Sequence, residues 1–140
     1  MIKDDVIAAF KSEFSHVEPN FIILDLLGDN APMEYEAISK LKMPSVKNDL
    51  VWMPGVYVFI GNDAVYRVGV SMENSRRRVL QHLVDQTTYD GYCVWDIATQ
   101  ESKAILLFNV QDTEFNHWLL ALEACLEKKF KPRIRSLRNG

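Results

Sequence analysis

Apolar residues at Ile2, Val6, Ile7, Phe10 and Phe14 recur at helical spacing, so the chain opens on an amphipathic helix. Phe21-Ile22-Ile23-Leu24 is a short apolar run with the composition of a strand, and Gly28-Asp29-Asn30 breaks the chain after it. Glu34 to Leu41 reads as a short helix, and the polar stretch from Pro44 to Asp49 as a connector. From residue 50 the pattern sharpens. Val56 to Ile60 and Ala64 to Val70 are rich in β-branched and aromatic residues, and Gly61-Asn62-Asp63 between them predicts a hairpin. Asn74 or Ser75 then caps a helix to about Gln86, with Val79, Leu80 and Leu83 inward. Residues 87–102 bury Val94, Trp95 and Ile97 on no definable element. Ala104 to Val110 is apolar enough for a central strand. Asp112 or Thr113 caps a last helix to about Phe130, whose apolar stripe is Phe115, Leu119, Leu122, Leu126 and Phe130. Pro132 follows its end.

These elements predict an α+β fold: a small three-stranded antiparallel sheet of 55–60, 64–70 and 104–110, flanked by helices. Residues 1–50 form a helical and extended N-terminal extension packed on the same domain as 51–140. Its expected role is to cover one face, because three strands alone bury little area.

A chain of 140 residues suffices for one core. No apolar run is long enough for a membrane span, the first residues lack a signal-peptide pattern, and Cys93 and Cys125 have no metal-type spacing. A cytoplasmic protein with reduced, core-type cysteines is expected. The net charge of −3 argues mildly against a nucleic-acid partner, but its distribution argues the other way. Acidic residues crowd the first 50 positions. Arg76, Arg77 and Arg78 are consecutive, and Lys128, Lys129, Lys131, Arg133, Arg135 and Arg138 crowd the tail. Each basic cluster is also what a solvated surface looks like.

Three features carry candidate chemistry. Arg78 and His82, four apart, share one helix face; a guanidinium clamps phosphate through paired hydrogen bonds, and an imidazole moves a proton or orients water. Glu123 sits on or beside the apolar stripe of the last helix. There a carboxylate is costly unless paired or bound to metal, and one carboxylate plus phosphate oxygens and water is a common Mg²⁺ site. Tyr57, in the first hairpin strand, is a core residue or a phenol that activates water.

The order of these residues resembles the GIY-YIG endonuclease superfamily over residues 55–139. Gly55-Val56-Tyr57 looks like the GIY element, and Arg67-Val68-Gly69 stands where YIG falls. Ser71 through Asn74 to Arg78-Val79-Leu80-Gln81-His82 is similar to the following S-x-N-x-x-x-R-L-x-Q-H segment, with about one extra residue. Leu119 to Glu123, Leu126 and Lys131-Pro132-Arg133 resemble the closing block. The resemblance implies a metal-dependent endonuclease with Mg²⁺ or Mn²⁺ as cofactor and nucleic acid, DNA first, as partner. Tyr57 would be the base or water-orienting phenol, Arg78 the phosphate ligand, His82 a proton-transfer partner and Glu123 the metal ligand. Arg76, Arg77, Lys128, Lys131, Arg133 and Arg135 would contact the nucleic-acid strand. Two departures stand out: Arg67 replaces the second tyrosine, with Tyr66 one place earlier, and the closing asparagine has only Asn139 nearby. A binding module that keeps the fold without turnover is the alternative, and a protein-interaction domain a third.

Hairpin register decides what fills the vacant tyrosine position. A two-residue turn pairs Tyr57 with Val68 and puts Tyr66 on its face. A three-residue turn pairs Tyr57 with Arg67, and Tyr66 then points away. Arg67 is expected beside Tyr57, where it would lower the phenol pKa and favour the phenolate.

Overall fold

In a computed structural model, described for residues 2–27, 33–40, 50–62 and 64–136, helix α1 (Ile2–Glu13) leads to strand β1 (Phe21–Asp25), and the short helix α2 (Tyr35–Lys40) follows. The hairpin β2 (Gly55–Gly61) and β3 (Ala64–Ser71) precedes helix α3 (Ser75–Asp85), the small hairpin β4 (Thr88–Tyr89) and β5 (Tyr92–Cys93), strand β6 (Ala104–Val110) and helix α4 (His117–Phe130). The break at 28–30, the connector at 44–49, Asp63, Arg138 and Asn139 lie outside the described residues.

The expected three strands are present, but the main sheet has four, all antiparallel, in the order β1-β6-β2-β3. Phe21 to Asp25 pairs with Val110 to Leu106 and so belongs to the sheet. Its place was hidden because the partner is more than eighty residues away, a pairing that no local pattern encodes. The central strands β2 and β6 are buried along their whole length. Their neighbours cover them at both edges and helices cover both faces. One layer joins Val56, Val58, Val68, Leu106 and Phe108 to Val6 and Phe10 of α1 and to Leu119, Leu122 and Leu126 of α4. The other joins Tyr57, Phe59, Ile105 and Leu107 to Val79, Leu80 and Leu83 of α3, and to Val94 and Ile97 of the 3₁₀ turn Val94–Thr99.

Helix boundaries follow their caps. The Asn74 side chain accepts the Arg77 backbone N–H at 3.0 Å, and Gln86 ends α3 in the left-handed region at φ 49°. Asp112 caps only a 3₁₀ turn, Thr113–Phe115, so α4 begins at His117, later than its sequence implies. The tail 133–134 runs parallel along β3, with the Ile134 N–H donating to the Tyr66 carbonyl at 2.7 Å. An otherwise open sheet edge is thereby occupied, and Arg135 and Ser136 are delivered to the site described next. Both cysteines are free and half-buried. Among the described residues no helix is long and apolar enough to cross a membrane.

Candidate active site

Register comes first, because it places the chemistry. Gly61 pairs with Ala64, so two residues separate the strands, but a bulge between Phe59 and Ile60 leaves Tyr66 as an extra residue on β3. Beyond it Phe59 pairs with Arg67 and Tyr57 with Gly69. Neither anticipated partner of Tyr57 is the observed one. The bulge nevertheless puts Arg67, two residues from Gly69, on Tyr57's face. Tyr66 packs in the same layer as Tyr57 but away from the cavity described next, edge-on to Tyr92 at 6.2 Å between ring centroids.

Tyr57, Arg67, Arg78, His82 and Glu123 line one cavity of about 580 Å³, together with Asp85, Thr87, Thr88, Tyr89, Arg135 and Ser136. Glu123 reaches it from α4, in the layer opposite α3. It continues the buried stripe of Leu119, Leu122 and Leu126 and is only 3% exposed. Arg78, four residues before His82, stands exposed at the mouth and donates to Gln81 Oε1 at 2.7 Å. Arg67 donates to the Arg135 carbonyl at 2.7 Å, while its Nε is buried with no hydrogen-bond partner. A phosphate oxygen would satisfy such a donor.

At the floor, Tyr57 Oη lies 2.7 Å from His82 Nε2, and His82 Nδ1 lies 2.6 Å from Thr87 Oγ1. Both rings are buried, at 1% and 5% exposure. Burial pushes the Tyr57 phenol up from its ordinary value, and this outweighs the lowering by the nearby Arg67 and Arg78 guanidinium groups. The expected lowering of this pKa is thus reversed: desolvating a phenolate costs more than two partly solvated guanidinium groups return. His82 is held at about 3, by burial first and then by the same two cations. Both groups are therefore neutral at physiological pH. Because the unfolded imidazole protonates below its usual 6.5 and the folded one resists until about 3, His82 makes stability fall as pH drops through that interval.

Gly69 has a steric task. A Cβ there would overlap the Tyr57 hydroxyl and ring carbons, so the glycine is the clearance that lets the phenol lie across β3. Gly55 does the same for Asn109, whose Oδ1 accepts from Ser75 Oγ at 2.6 Å and pins the start of α3 to the sheet.

The basic residues divide. Arg135 lines the cavity, and with Lys128 and Lys131 it also lines a neighbouring one. Arg77 is exposed on the far side of α3, 3.3 Å from Glu73. Arg133 stacks over Tyr92 and Tyr66 and donates to the Tyr92 hydroxyl, so it holds the small hairpin. Arg76, expected to touch a nucleic-acid strand, is instead 5% exposed and stacked over Trp52 at 4.6 Å. Three consecutive arginines on a helix cannot share a face, and the first points inward.

The donor set limits any metal. Among the described residues no three His, Cys, Asp or Glu side chains cluster, so an all-protein cage is not offered. Glu123, buried at a cavity rich in phosphate-binding groups, fits a cation that takes one carboxylate and completes its shell with phosphate oxygens and water. Thr87 and Tyr89 were not singled out from sequence; they lie in the stretch without periodicity, and no motif marks them. No family model matches the chain, and neither a curated protein nor a solved structure matches it.

Proposed function

We propose that the chain is a divergent GIY-YIG-type endonuclease that hydrolyses phosphodiesters of nucleic acid, DNA in the first instance, in the cytoplasm. The observation that carries this reading is the convergence of Tyr57, Arg67, Arg78, His82 and Glu123, from β2, β3, α3 and α4, on one cavity. Arg67 and Arg78 would clamp the scissile phosphate and offset its developing charge. Arg67 thereby takes the place of the second tyrosine as a second cation. A water held at Tyr57 gives a proton to Tyr57 Oη as the phenol passes its own to His82 Nε2. The water oxygen forms the new P–O bond, the ester P–O bond breaks, and the leaving oxygen takes a proton from solvent. No covalent intermediate forms. Glu123, with phosphate oxygens and water, would hold Mg²⁺ or Mn²⁺, which would supply positive charge to the leaving oxygen.

A neutral phenol and a neutral imidazole set the pH dependence. Tyr57 titrates above its ordinary value and His82 near 3, so neither changes state across the neutral range. Nicking of supercoiled plasmid with Mg²⁺, followed as kcat/KM, should be nearly flat from about pH 5 to about pH 9 and be lost with chelator. A rise of about tenfold per pH unit would instead require the phenolate as base and would remove the relay. Salt-dependent DNA binding without nicking would identify the non-catalytic module.

A further inference from the structure

We propose that Thr87 is a positioning residue: its hydroxyl oxygen accepts the His82 Nδ1 proton, holding the imidazole in the tautomer whose bare Nε2 takes a proton from Tyr57. The assignment of the proton and its catalytic consequence both rest on the nuclease reading; the two short contacts of His82, to Tyr57 and Thr87, do not.

The proton positions follow from the relay. Tyr57 Oη lies 2.7 Å from His82 Nε2, and the phenol can pass its own hydrogen to that nitrogen only if the nitrogen is bare. A nitrogen that accepts carries no proton, and a neutral imidazole carries one, so that proton sits on Nδ1. Its partner there is Thr87 Oγ1 at 2.6 Å. Free neutral imidazole side chains favour the other tautomer, so an acceptor at Nδ1 has a job to do.

The chain is built to hold that acceptor. Gln86 leaves α3 in the left-handed region, folding the next residue back over the helix end. The Thr87 N–H then donates to the His82 carbonyl at 3.1 Å, and the Thr87 carbonyl accepts from Val94 N–H at 3.0 Å. Trp95 Nε1 donates to the Leu83 carbonyl at 2.7 Å and ties the following turn to the same helix end. Thr87 is thus fixed on both sides of its own backbone, with its hydroxyl facing the ring. Substrate completes the device. An anionic phosphate on Arg67 and Arg78 would offset two of the three causes that keep His82 unprotonated, so the ring would become a better proton acceptor once the strand is bound.

The test combines ¹⁵N NMR of the labelled histidines, with His82 assigned through His82→Gln, and single-turnover plasmid nicking. Wild type should show His82 protonated at Nδ1 and bare at Nε2. Thr87→Val should shift His82 toward the Nε2-protonated form and lower kcat roughly tenfold or more with little change in KM. Thr87→Ser should restore both. An Nε2-protonated wild type, or an unchanged tautomer in Thr87→Val, would overturn the proposal. The spectrum decides it even if the wild type cuts nothing, so failure of the nuclease reading is seen separately.

Discussion

Glu123→Ala should abolish Mg²⁺-dependent cleavage while the protein still folds. Glu123 is the carboxylate that α4 sends into the cavity, on a stripe otherwise made of leucines, and among the described residues no three His, Cys, Asp or Glu side chains cluster to hold a metal. Under the reading proposed here its loss removes the protein's only ligand to the cation, and with it the charge stabilisation of the leaving oxygen. Leu119→Ala, one turn earlier on the same stripe, separates chemistry from packing. Fully buried, it should lower stability by about 2–5 kcal/mol without touching the cavity. Plasmid nicking and thermal melting on both variants give the comparison. Full activity in Glu123→Ala would mean that the metal role is misassigned.

Gly69→Ala should cost both activity and stability, although it adds one methyl group. The new Cβ would fall on the Tyr57 hydroxyl and ring, and the ring is packed against Phe59 and His82. Either the phenol leaves its 2.7 Å bond to His82 or β3 bends away from β2. Overpacking of this kind costs about 1–3 kcal/mol, and displacement of a catalytic group by about 1 Å costs roughly a hundredfold in rate. Cleavage rate and denaturant midpoint would be measured together. A variant with wild-type rate and stability would show that Tyr57 is not held where the structure has it.

Much of this architecture was legible in the sequence, and the reason is local. The alternation of β-branched and aromatic residues in Val56–Ile60 and Ala64–Val70, the Asn74 cap, and the stripe Leu119-Leu122-Leu126 are each written within one element. Glu123 could be noticed because a carboxylate breaks that stripe. What escaped depends on partners far along the chain or on the surroundings of a single side chain. β1 was visible as an apolar run, but its pairing with β6 was not. The bulge at Tyr66 shifted the register by one residue, and nothing in Tyr66-Arg67 announces it. Arg76 turned inward because Trp52, from a distant segment, offers it a ring. The Tyr57 pKa was misjudged because composition reveals the neighbouring cations and hides the depth of burial. Thr87 lay in a stretch with no periodicity, held by backbone bonds that follow from the left-handed Gln86.

The central claim is that the cavity clamps and cuts a phosphodiester. The measurement closest to it is single-turnover nicking of supercoiled plasmid with Mg²⁺ by wild type and Arg78→Ala. Arg78 is exposed, so its truncation spares the core. Wild type should nick, and the variant should melt at the same temperature and be slower by roughly a hundredfold or more, as for a lost oxyanion donor. A folded wild type that leaves the plasmid intact, or an Arg78→Ala variant that cuts as fast, would contradict it.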